Sequence, residues 1–175
     1  MRLATIAALV GLLFGTAASA QSISFDFDRS ISFGAFKTYA WVSGTNVPDA
    51  LVHQRIVNAV DVQLARKGLT RVDAEARPDV LVAYHASLDK DLQISGFGSG
   101  WGGYRFGGYR TVSARAEEIL VGTMIVDIVD AGTSTIVWRG TATKDIDVDA
   151  KPDKRDKNIT KTAEKLFKHY PPQSR

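Results

Sequence analysis

Along residues 22–28 the apolar side chains Ile23, Phe25 and Phe27 alternate with Ser24, Asp26 and Asp28. A period of two sends successive side chains to opposite faces, so this run predicts a half-buried strand. Thr38-Tyr39-Ala40-Trp41-Val42 is a second β-rich run, closed by the turn residues Ser43-Gly44-Thr45-Asn46. From Asp49 the period changes to that of a helix. Val52, Ile56, Ala59, Val60 and Leu64 fall on one face, Asp49 is placed to cap the start, and Gly68 stands where a left-handed residue ends a helix. Leu69 to Val72 reads as a short strand, Pro78-Asp79 as a turn, and Val80 to Tyr84 as an apolar run suited to a central strand.

The pattern then breaks. Between Gly96 and Gly108, seven of thirteen residues are glycine, interleaved with Phe97, Trp101, Tyr104 and Phe106. Regular patterning resumes near Glu118, with a long β-branched run from Ile119 to Val129, a turn at Asp130-Ala131-Gly132, and a return strand from Thr135 to Thr143. That is a hairpin, with Ile136 and Trp138 expected on one face. From Asp153 to Tyr170 a second helix gathers Ile159, Ala163, Leu166, Phe167 and Tyr170 on one face, and Pro171-Pro172 stops it. The order β-β-α-β-β-loop-β-β-α predicts an α+β fold, a single mostly antiparallel sheet with two helices packed on one face. No repeat or linker divides the chain.

Composition adds the compartment. The chain has 175 residues, 45% hydrophobic and 23% charged, without cysteine and with a formal net charge of +3. This excludes collagen, a disulfide-stapled miniprotein and wholesale disorder, and a domain of this size buries roughly 70% of its unfolded surface unaided. Met1-Arg2, the apolar run Leu3 to Phe14 and the small residues Ala18-Ser19-Ala20 read as a secretory signal peptide, 1–20, cut after Ala20. The apolar run is shorter than the about 20 residues that span a bilayer, and no cysteine stands at the cut to take a lipid. The expectation is a periplasmic protein, not a lipoprotein, with residues 21–175 as one domain carrying a glycine–aromatic loop at 96–110.

Phe25-Asp26-Phe27-Asp28 followed by Thr38-Tyr39-Ala40-Trp41, then Pro78-Asp79-Val80-Leu81-Val82 and the aromatic glycine loop, form an ordered set. The hairpin from Val126-Asp127-Ile128-Val129-Asp130 to Val137-Trp138-Arg139-Gly140 and the closing Tyr170-Pro171-Pro172 complete it. In order and spacing the set resembles domain-of-unknown-function family 4136 over nearly all of 23–172. The resemblance implies a bacterial cell-envelope protein of α+β fold, commonly a lipoprotein, with no established activity and no catalytic residues to carry over. The missing cysteine departs from the lipoprotein pattern.

Candidate chemistry is sparse. Gly98-x-Gly100-x-x-Gly103 has the form of a dinucleotide fingerprint, but Tyr104-Arg105-Phe106-Gly107-Gly108 cannot open the helix that would receive a pyrophosphate. Asp145-x-Asp147-x-Asp149 is like the first half of a calcium loop, yet Ala150 stands where glycine is needed and Asp156 where the bidentate glutamate belongs. It reads instead as a strand running into solvent, with Ile146 and Val148 turned inward. His53, His85 and His169 lie in no metal-ligand spacing and read as structural. Ser99 has Phe97 where a nucleophile elbow needs glycine. Glu117-Glu118, and Asp127 with Asp130, are pairs of carboxylates, and whether His85, Asp127 and Asp130 share a pocket is open. Alternation sends Trp138 and Arg139 to opposite sheet faces.

With no recognisable catalytic set, no metal site and no cofactor expected, the reading is a non-enzymatic envelope module. It would bind an envelope protein or outer-membrane component, and no nucleic acid. The alternatives are a small envelope hydrolase or transferase, or a glycan- or cation-binding protein. Phe97, Trp101, Tyr104, Phe106 and Tyr109 offer contact area and Arg105 and Arg110 add cations, which makes them the candidate partner-binding residues. A weaker candidate, for anionic surfaces, is the second helix. There Lys154, Lys157, Lys161, Lys165 and Lys168 share an arc of about 80°. Residues 151–175 hold eight basic and three acidic side chains against thirteen and sixteen in 21–150.

Overall fold

Asp49 Oδ1 accepts from the amides of Leu51 and Val52, satisfying two of the donors that a helix start leaves free. The helix it opens, α1 (Ala50–Arg66), closes at Gly68, whose φ of +86° suits glycine. The computed structural model describes residues 21–45, 47–95 and 115–172, so the expected leader (1–20) and the glycine–aromatic segment (96–110) lie outside the described residues. The strands are β1 (Ser22–Phe27), β2 (Thr38–Trp41), β3 (Thr70–Arg71), β4 (Val80–Ser95), β5 (Arg115–Asp130) and β6 (Thr135–Asp145), and α2 (Pro152–Phe167) follows them.

They form one six-stranded sheet in the order β1-β6-β5-β4-β2-β3, the α+β fold expected. The hairpin strands β4, β5 and β6 and the edge strand β1 pair antiparallel. β2 runs parallel to both β3 and β4, because α1 carries the chain back to the end of the sheet from which β2 began. Both helices pack on one face. Val60 and Leu64 of α1 and Leu166 and Phe167 of α2 meet Val82, Tyr84, Val126, Ile128 and Trp138 of the strands in a single core.

Two devices fix the helices. Asp61 Oδ1 accepts from Tyr39 Oη at 2.7 Å and from Trp41 Nε1 at 2.8 Å, and its Oδ2 meets Arg71 at 2.9 Å, tying α1 to β2 and β3. Burial and then the hydrogen bond to the Asp61 carboxylate raise the Tyr39 pKa well above its usual value. Over β6, Gly140 admits α2: a Cβ there would press on the Trp138 ring and approach Leu166 Cδ1 to 2.8 Å.

Three local expectations are corrected. Ile136 and Trp138 do not share a face: Trp138 is fully buried and Ile136 is 49% exposed. The register shifts so that Ile128 faces Trp138 while Val129 faces Ile136, a bulge that turns the strand by one residue. Ile146 and Val148, expected inward, are 40% and 49% exposed, because β6 ends at Asp145 and the chain leaves β5 after Ile146 N donates to Leu120 O. β4 does not stop near Tyr84, and β5 starts at Arg115, ahead of Glu118. The two remain paired from Val80↔Asp130 to Ser95↔Arg115.

Candidate functional site

The extra length of β4 and β5 leaves the sheet. On one side, support for β4 ends where Ala86 N donates to Thr45 O. On the other, support for β5 ends where Ile146 N donates to Leu120 O. From Asp91 to Ser95, opposite Ile119 to Arg115, the hairpin is a two-stranded ribbon, about 16 Å long at the rise of a strand. Residues 96–114 join its two ends.

Below the ribbon, between the sheet and the first turns of both helices, is a cavity of about 390 Å³. Val47, Val52 and Ile56 form its α1 side, Met124 and Ala142 its floor, and Ile159 its α2 side. Exposed Leu88 and Ile146 stand at the rim. Its polar groups are mostly committed within the chain. Asp49 caps α1, Asp147 meets Lys154 at 2.9 Å, and Arg155 donates to the carbonyls of Ala150 and Val148. Lys144 Nζ donates to the neutral Asn158 Oδ1 at 3.0 Å. Sequence reasoning did not find this cavity, because its lining comes from separate stretches between residues 47 and 162 whose apolar residues look like ordinary core.

On the sheet face away from the helices, alternation places Asp127 opposite Ala83 on β4 and Arg139 on β6. Asp127 is almost fully buried and takes both bonds of the Arg139 fork, at 2.6 and 2.7 Å. The carboxylate raises the Arg139 pKa further, chiefly through that hydrogen bond. His85 Nε2 lies 3.6 Å from Asp127 Oδ2, while its Nδ1 accepts the Thr45 amide at 3.1 Å and faces Thr45 Oγ1 at the same distance. The two groups left open by the sequence therefore meet, and Asp130 does not join them: its carboxylate caps the amides of Gly132 and Thr133 in the hairpin turn. This alignment has the outline of a nucleophile–base–acid relay without its working parts. The Nδ1 lone pair is already held by a backbone amide, and Arg139 occupies both carboxylate oxygens.

The remaining histidines are structural, His53 bonding Tyr84 Oη at 2.6 Å and His169 stacking on Phe25 at 4.5 Å. Trp138 and Arg139 do part to opposite faces. Among the described residues no three metal-ligating side chains converge, and no helix is long and apolar enough to cross a membrane. Phe97, Trp101, Tyr104, Arg105, Phe106, Tyr109 and Arg110 lie outside the described residues. Lys154, Lys157, Lys161, Lys165 and Lys168 are all exposed along α2, opposite the buried Ala163, Leu166 and Phe167. Lys165 and Lys168 border a shallow depression with Arg66 and Lys67.

The model of one family, Domain of unknown function (DUF4136), matches residues 23–172. No curated protein matches the chain. Among solved structures it is similar to a PDZ domain protein from Parabacteroides distasonis, with 16% identity and a TM-score of 0.56, over 89% of this chain and 36% of that one. It is also similar to a DUF4136 family protein from Bacteroides thetaiotaomicron, with 12% identity and a TM-score of 0.53, over 86% and 96% of the two chains. A third is the PelC dodecamer from Paraburkholderia phytofirmans, with 9% identity and a TM-score of 0.51, over 85% and 95%. The chain thus spans 36% of the Parabacteroides protein, and at these identities the likeness is one of fold.

Proposed function

Because this chain belongs to the DUF4136 family of domains of unknown function, we propose that it is a non-enzymatic module of the bacterial cell envelope. It binds another envelope macromolecule through the segment that joins β4 to β5. The observation that carries this reading is the ribbon: five residue pairs of β-structure, Asp91↔Ile119 to Ser95↔Arg115, continue past the last described neighbour that either strand has in the sheet. A fold has no need of such an extension for its own core, and a two-stranded ribbon in water is marginal unless something else holds it.

The composition of the segment supports a binding role. Phe97, Trp101, Tyr104, Phe106 and Tyr109 are of the types that dominate interface energetics, and Arg105 and Arg110 can stack on rings or pair with acids. Seven glycines between Gly96 and Gly108 make ordering costly in entropy, a cost that a partner offsets on binding. That a protein of similar fold is found as a dodecamer agrees with a fold used in macromolecular association.

The test separates binding from folding. Replacing 97–107 by a short Gly-Ser linker is expected to leave the thermal midpoint within about 2 °C. A photo-crosslinker at Tyr104 is expected to give one discrete adduct in the envelope fraction that a probe at Glu75 does not. A large fall in midpoint would assign the aromatic residues to the core, and identical adducts from both probes would refute the site.

A further inference from the structure

The cavity under the ribbon is a second feature with no use in the fold. It is half-open to solvent, and at about 390 Å³ with mostly apolar walls it has the dimensions of a small-molecule site. We propose that it binds the acyl chain of an anionic amphiphile, with Lys144 receiving the headgroup.

The lining selects the chain. Val47, Val52, Ile56, Met124, Ala142 and Ile159 are aliphatic or thioether groups, and among the described residues that line the cavity none is aromatic. Flat ring ligands are held by stacking on aromatic faces, and this cavity offers none. A flexible methylene chain needs only aliphatic walls, and methionine adapts to its shape.

The rim selects the head. Its carboxylates are engaged: Asp49 by the α1 amides, Asp147 by Lys154, and Asp145 as well. Arg155 is likewise held by two carbonyls. Lys144, half-buried, donates only to the amide of Asn158 and forms no ion pair with a described residue, so its charge is available to an anion. The start of α2 adds to the same potential. Its N-cap, Lys151, supplies no capping side chain, and Ala150 and Arg155 beside it line the cavity. Leu88 and Ile146 at the rim give an entering chain an apolar approach.

Free fatty acids and membrane lipids both present this chemistry, and the experiment distinguishes them. Calorimetric titration of residues 21–175 with laurate below its micellar concentration is expected to show saturable 1:1 binding that raises the thermal midpoint. Dodecanol should bind more weakly and dodecyltrimethylammonium more weakly still. Lys144→Gln should weaken laurate about tenfold, the scale of one charge-assisted hydrogen bond, and leave dodecanol unchanged. Ala142→Leu fills the floor and should abolish both. Ala86→Leu fills the β4 wall and serves the same purpose should the first variant fail to fold. Phosphatidylglycerol vesicles form the second arm: if they compete for bound laurate, a membrane lipid can supply the chain, and if they do not, the ligand is a free amphiphile. The proposal is overturned by the absence of laurate binding, by laurate binding that survives in a folded cavity-filled variant, or by equal affinity for the cationic amphiphile. Binding to vesicles alone, without monomeric laurate, would overturn it in favour of the α2 lysines.

Discussion

Asp127 and Arg139 form a strongly asymmetric ion pair on the sheet face away from the helices. The carboxylate side chain retains 5% of its exposure and the guanidinium side chain 47%, although the pair is bidentate at 2.6 and 2.7 Å. Asymmetric burial predicts asymmetric mutational cost. Arg139→Ala strands a buried carboxylate with only the more distant His85, at 3.6 Å, to replace two short bonds. Removing one partner of a buried pair costs about 3–5 kcal/mol, and because the lost guanidinium also uncovers the site to water, the lower end, roughly 3 kcal/mol, is expected. Asp127→Ala leaves a guanidinium that is already half in solvent and removes a charge that was expensive to bury, so roughly 0–1.5 kcal/mol is expected. The double variant should resemble Asp127→Ala, giving a coupling energy of about 3 kcal/mol in magnitude, the whole cost of Arg139→Ala. Urea unfolding followed by far-UV circular dichroism measures all four proteins. Equal costs for the two single variants, or a coupling below about 0.5 kcal/mol, would refute the argument that desolvation of Asp127 controls this pair.

Gly140→Ala places a methyl group against Trp138 and Leu166, both fully buried, and should destabilise by about 2 kcal/mol, lowering the midpoint by about 4–8 °C in a scanning-calorimetry experiment. Asp79 accepts from the amides of Lys37 and Thr38 and from the Thr38 hydroxyl, which holds its carboxyl below the usual range. Since the folded value is depressed, its stabilisation is complete above about pH 4 and disappears as pH falls through the folded value. Asp79→Ala should therefore destabilise at neutral pH, by roughly 1 kcal/mol or less for a carboxylate so open to solvent, and the difference from wild type should vanish in acid urea titrations. Replacing Lys157, Lys161 and Lys165 by glutamine should weaken low-salt binding to phosphatidylglycerol vesicles roughly a hundredfold, at about 1 kcal/mol for each lysine near an anionic surface. Sedimentation with the vesicles reads it, and equal binding by wild type and variant would leave α2 as an ordinary solvated face.

Wherever a signal is local, the chain declares it. Asp49 and Gly68 bound α1, the 3.6 period assigns Ala163, Leu166 and Phe167 to the buried side of α2, and period two separates Trp138 from Arg139. These follow from backbone geometry within a few residues, and so did the order of elements and the α+β class. Two local patterns misled for a reason equally physical: a one-residue bulge inverts every position on one side of it, which is why Ile136 left the face of Trp138, and alternation past Asp145 meant little because the chain leaves β5 after Ile146. The pairing of His85 with Asp127 needed the register of β4 on β5, which only non-local hydrogen bonds set. The parallel placement of β2, the ribbon beyond the last sheet neighbour and the cavity below it are likewise tertiary. Each depends on where distant segments stop touching one another, and hydrophobic periodicity records which face of an element is buried but not what buries it.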